Sequence, residues 1–155
     1  MTAPFDTEPA SYRALLAVRL PRPEPFRAPG CMAAAGITWP RRLARQAWPR
    51  RGAASCCWYH AVNWHNASRA ALGIARRVGL HRWQDCDDLY SQALDVLEAS
   101  HPGGLQGEAV ESLLMPADAI QLYDRGRSYT NGQHRAQAML EQGVHRTLIV
   151  AWPEG

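Results

Sequence analysis

His134 and Arg135 stand directly after Asn131, Gly132 and Gln133, at the point where a helical pattern begins. Imidazole and guanidinium groups are donors suited to phosphate or carboxylate. From His134 onward, apolar residues fall at Ala136, Met139 and Leu140, the i, i+3, i+4 spacing of one helical face. The N–H groups of a first helical turn have no partners within the helix, and that end carries roughly half a positive charge. Gly132 lets the backbone come close to a ligand there. The chemistry expected is anion binding, with Asn131, Gly132, Gln133, His134 and Arg135 as the site. Two cationic or donor side chains at an already positive helix end cost stability unless an anion or acid offsets them. Such local conflicts mark functional sites. The competing reading pairs Arg135 inside the protein with a carboxylate such as Asp124. Arg135→Ala separates the two, since one reading loses a ligand at constant stability and the other loses stability.

The elements that must position these residues follow from the flanking sequence. Ser128-Tyr129-Thr130 has strand-type residues, and Asn131-Gly132 is a turn pair. Gly143 falls where a left-handed helix stop is expected, and Val144 can fold back on the helix end. Thr147 to Trp152 is a near-continuous apolar run, as in a strand buried on both faces. The stretch 128–152 therefore reads as strand, glycine turn, helix and strand.

Asn131-Gly132-Gln133-His134-Arg135-Ala136-Gln137-Ala138-Met139, followed by Gly143-Val144, resembles the glycine-polar-His/Glu-Arg box of the ParB/sulfiredoxin-like superfamily. It is similar above all to the DGQHR variant of DNA-sulfur-modification-associated and mobile-element proteins. The resemblance covers only about the last thirty residues. It implies a small α/β sheet with the box between a strand and a helix, contacting nucleotide phosphates or a nucleic-acid backbone. His134 and Arg135 would then be the phosphate-contacting pair, with Gly132 giving the close approach. Asn131 stands where the variant has aspartate, which removes a charge able to hold a metal or orient His134. Gln133 stands where sulfiredoxins have their catalytic cysteine, so sulfinic-acid reduction is not implied.

Taken in order, the 155 residues allow one domain with a modest core. A net charge of +3 is compatible with a polyanionic partner without identifying one. Arg far outnumbers Lys and Ala is abundant, which a GC-rich coding sequence explains as well as selected chemistry. No stretch approaches the roughly 20 apolar residues needed to span a bilayer, and no charged-then-apolar leader opens the chain. A cytoplasmic protein without membrane partners is the expectation. Prolines at 4, 9, 21, 23, 25 and 29 interrupt residues 1–36, which read as a disordered arm, with 37–155 as a single domain. Tyr12 to Leu20 fits a short helix or a strand equally.

Pro40 can open a helix that Pro49 stops. Its arginines, interleaved with Trp39 and Trp48, suit a nucleic-acid backbone, or form a surface helix with its aromatic side packed inward. Cys56, Cys57, His60, His65, His81 and Cys86 are zinc-ligand types, but their spacing matches no finger or ribbon. Packed free thiols and histidines are expected, with no zinc and no disulfide framework. Further helices are expected from an Asn66 cap through Arg77, with Ala70, Ala71, Ile74 and Val78 inward. Others should run from about Asp88 to Ala99 behind an Asp87 cap, from Gln106 to Leu114, and from Pro116 to Asp124 with Ile120 and Tyr123 buried.

Two strands cannot make a stable sheet, so further strands must come from elsewhere. Residues 55–64 or a second copy of the chain, as a homodimer, are the sources expected. The alternative architecture is mostly helical with a small terminal sheet. Function reduces to two classes: a module binding nucleotides or DNA in a bacterial DNA-modification, partition or mobile-element system, or a nucleoside-triphosphate or phosphodiester hydrolase. Hydrolysis needs an acid beside the box. Asp118, Asp124, Glu108 and Glu111 are the candidates in sequence. The box lacks its own acid, so binding ranks above catalysis.

Overall fold

A computed structural model describes residues 10–23, 38–52, 57–82, 86–100 and 103–152, with the backbone alone at 86 and 87. Four strands form one mixed sheet in the order β1-β4-β2-β3. They are β1 (Ser11–Leu16), β2 (Gln121–Tyr123), β3 (Ser128–Asn131) and β4 (Arg146–Ala151). The six helices described are α1 (Trp39–Ala47), α2 (Trp58–Ala61), α3 (Trp64–Val78), α4 (Cys86–Ser100), α5 (Gly104–Leu114) and α6 (Gln133–Gln142). The fold is α/β with a small sheet.

Residues 10–23 correct the expectation of a disordered N-terminal arm. Strand β1 pairs antiparallel with β4 from Ser11 opposite Ala151 to Leu16 opposite Arg146. Ala10, Tyr12, Ala17 and Leu20 are core residues. The prolines lie around this strand, not in it, and Pro21 follows its 3₁₀ turn Ala17–Arg19. The Tyr12 hydroxyl donates to the Leu114 carbonyl at 2.9 Å, and the Tyr12 N–H pairs with His81 O at 2.8 Å. A buried phenol and a covered strand edge are thereby both satisfied.

The sheet is completed within one chain, so a second copy is not its source. Nor is 55–64: residues 58–61 are helical. The fourth strand arises where a helix was expected, because residues 116–118 form a turn and Gln121–Tyr123 then pairs on both sides. Ile120 is buried as expected, whereas Tyr123 is exposed. Strand β2 runs antiparallel to β3 and parallel to β4. A parallel pair needs a crossover, here β3 and α6 together. Strand β4 is the centre, buried from Thr147 to Ala151, as its apolar run requires.

Helix α3 lies against β4, α4, α5 and α6, with Trp64 fully buried at its start. Its cap is Asn63, which accepts from the Asn66 N–H at 3.2 Å; the helix thus starts before the expected Asn66. Ala71 and Ile74 face inward as expected, and Gly79 closes the helix at φ 72°. Arg69, Arg76 and Arg77 are solvated. In α1 the inward residue is Arg42, which donates to the carbonyls of Val18 and Leu20, while Trp39 and Trp48 are exposed. The expectation of an inward aromatic side is corrected. Expectations for residues 1–9 and 24–36, Cys56, the Cys86 side chain and Asp87 lie outside the described residues.

Candidate functional site at the start of helix α6

Helix α6 begins and ends as its glycines dictate. Gly132 precedes it at φ 86°, and a side chain there would collide with Ile120, whose Cα would lie 2.8 Å from the added Cβ. The close approach that needs glycine is therefore to Ile120 of the same chain. At the other end Gly143, φ 75°, donates to Leu140 O and Val144 donates to Met139 O. This is the paired bond set of a Schellman stop. Ala136, Met139 and Leu140 are buried as their spacing predicts, and so are Arg135, Gln137, Ala138 and Gln142. Helices α1 and α2 and the 3₁₀ turn cover the sides that a single apolar stripe would leave wet.

A cleft of about 170 Å³ opens at the first turn of α6, lined by Tyr59, Tyr129, Thr130, Asn131, Gly132, Gln133, His134 and Arg135. All five box residues are thus brought together. The Tyr59 ring, on α2, meets the His134 ring edge-on with centroids 5.4 Å apart. Tyr129 donates to Pro21 O at 2.6 Å. Burial pushes its phenol pKa far up, partly opposed by Arg42, so the hydroxyl keeps its proton.

Within the box the duties divide. Asn131 holds the turn: its Oδ1 accepts from the Gly132 N–H at 2.9 Å and its Nδ2 donates to Ala117 O at 3.0 Å. The Arg135 guanidinium points inward, only 7 % exposed, and donates to the Ser112 carbonyl at 2.7 Å. Ser112 is in the last turn of α5, where carbonyls lack helical partners and the dipole is negative. A cation that opposes the positive end of α6 is thus balanced by the negative end of α5. Burial lowers the Arg135 pKa, while Tyr59 and Asp118 act to raise it. Arg135 thus ties α5 to α6 and also lines the cleft. Asp124, its candidate partner from sequence, is exposed in the β2–β3 turn.

Gln133 and His134 also line the cleft at the helix start. Neither is without partners of its own. Asp118, Asp124, Glu108 and Glu111 do not line the cleft. Among the described residues, no group of three His, Cys, Asp or Glu converges as a metal cage. His65 donates through Nε2 to the carbonyls of Arg50 and Gln142, each at 2.8 Å. His60 bonds Glu141, and Cys57 bonds His60. No described helix is long and apolar enough to cross a membrane. Tyr59 was missed from sequence as a cleft wall, and only the density of aromatics at 58–64 hinted at it. The chain matches no protein-family model, no curated protein and no solved structure.

Proposed function

We propose that this chain is a ParB/sulfiredoxin-like binding module of the DGQHR type that takes a phosphoryl group in the cleft before α6. The observation that carries this reading is the cleft itself. It joins the positive end of a ten-residue helix to a donor-rich wall of Thr130, Gln133 and His134. A charge-assisted bond from a protonated His134, or a neutral one from its N–H, would hold an oxygen of the anion. Arg135 contributes from behind, by fixing α6 in place.

The size of the cleft narrows the ligand. Pockets that enclose whole small molecules span roughly 300–1,000 Å³. About 170 Å³ suits one phosphoryl group with the rest of its carrier outside. The terminal phosphate of a nucleoside triphosphate and a phosphate of a nucleic-acid backbone both fit that description. Trp39 and Trp48, exposed at 57 % and 72 % beside the solvated Arg41 and Arg50, favour nucleic acid, since indoles stack and arginines meet phosphates. The setting is then a bacterial DNA-modification, partition or mobile-element system in the cytoplasm.

Thermal shift of the full chain with ATP, GTP and a short DNA duplex tests the reading. All three should raise the melting temperature with little preference for the base. His134→Ala should weaken binding by about 10- to 100-fold, the equivalent of one charge-assisted bond of roughly 1.5–3 kcal/mol. A ligand shift unchanged in His134→Ala would overturn it.

A further inference from the structure

Helix α2 lies on α6, and two of its neighbouring side chains face the other end of that helix. The Cys57 Sγ is 3.3 Å from His60 Nδ1, and His60 Nε2 is 2.9 Å from Glu141 Oε2. Gln137 Nε2 donates to the second Glu141 oxygen at 3.3 Å, which fixes the carboxylate. The three groups form a line of thiol, imidazole and acid. Such a line cannot converge on a metal, but it is the order of a nucleophile, its base and the base's orienter.

In the neutral imidazole, the contact with Glu141 selects the tautomer. A carboxylate can only accept, so His60 Nε2 carries the hydrogen that faces Glu141. Nδ1 then presents its lone pair to the Cys57 S–H. We propose that Cys57 is a nucleophilic, acyl-accepting thiol, with His60 as its general base and Glu141 as the positioning residue. The donors it would take are activated esters or thioesters. As the Sγ–C bond forms, the thiol proton passes to His60 Nδ1. The bond from carbon to the leaving group breaks, and that group departs with the bonding pair and receives the proton from Nδ1. The products are the Cys57 thioester and the protonated leaving group, with no change of oxidation state.

Access and separation both suit this role. Cys57 is half-buried, and the His60 and Glu141 side chains are 18 % and 34 % exposed, enough for a small acyl donor to arrive. Glu141 lies seven residues beyond His134 on α6, which is about 10 Å along the axis at 1.5 Å per residue. The thiol site is therefore distinct from the phosphoryl cleft, and either can fail without the other. A purely structural account would have His60 and Glu141 staple α2 to α6, with the thiol a passive neighbour.

The probe is p-nitrophenyl acetate, applied to the full chain carrying Cys31→Ser, Cys56→Ser and Cys86→Ser. The chain contains no lysine, so amine acylation is confined to its N-terminus. Nitrophenol release and the acetyl mass on the Cys57 peptide are read together. Cys57 should acetylate about 100-fold faster than N-acetylcysteine amide at pH 7, the lower end of general-base effects. His60→Gln should remove that advantage. Glu141→Gln should lower the rate about tenfold in the His60 protein, yet have no effect when His60→Gln is already present. That non-additivity separates positioning through the imidazole from a general loosening of α2. If the triple serine variant does not fold, peptide fragmentation of the acetylated wild-type chain gives the same comparison at Cys57. A Cys57 rate equal to the free thiol, or one that His60→Gln leaves unchanged, would overturn the proposal.

Discussion

The Arg135 guanidinium reaches from the first turn of α6 to the Ser112 carbonyl in the last turn of α5. It is a buried cation whose bond satisfies one carbonyl of that helix end. Arg135→Ala should therefore lower unfolding free energy by about 1.5–3 kcal/mol, the range for a hydrogen bond to a charged group. Urea denaturation of both proteins measures it. A mutant within about 0.5 kcal/mol of wild type, the scatter of ordinary surface substitutions, would contradict the tie. The sequence showed that a cation here needs an offset. It could not show the partner, because a backbone carbonyl at residue 112 has no side-chain signature. Gly132 carries the same lesson. Its need for a small residue was legible, but the surface it approaches is Ile120.

At the scale of elements, periodicity located the helices well and the strands unevenly. Helices α3, α5 and α6 fall within a few residues of their expected bounds, since amphipathic spacing and glycine stops are local signals. Strand β4 was legible as a near-continuous apolar run. Strand β2 was not, because three residues are too few for any alternation and Pro116 mimics a helix start. Strand β1 was hidden by flanking prolines, although its own six residues contain none. A chain beginning at residue 37 tests that strand. It would lose the pairing to β4, the buried Tyr12 and Leu20, and the carbonyls of Val18 and Leu20 that hold Arg42. Burial of Leu20 alone is worth roughly 1.5–3 kcal/mol, against a typical total near 5–15. The truncated chain should show no cooperative melt by circular dichroism. A melting temperature equal to the full chain's would show that β1 is dispensable.

For the molecule as a whole, the sheet order places α6 as the crossover from edge strand β3 to central strand β4. One end of α6 is held by α5 through Arg135. The other is held by α1, whose Gln46 donates to Val144 O at 2.8 Å, and by Gln142, which bonds Val62 O and the Trp64 N–H. A helix fixed at both ends presents its first-turn N–H groups in one orientation, which is what recognition of a small anion requires. In the proposed function a phosphoryl group sits against that turn. Its most direct measurement is the backbone amide NMR spectrum of the full chain titrated with ATP and then with a short DNA duplex. Saturable shifts should concentrate at Gly132, Gln133, His134 and Arg135, with smaller ones at Tyr59 and Thr130. Saturable shifts that leave these residues unmoved, or no shifts at millimolar ligand, a binding free energy weaker than about −4 kcal/mol, would contradict it.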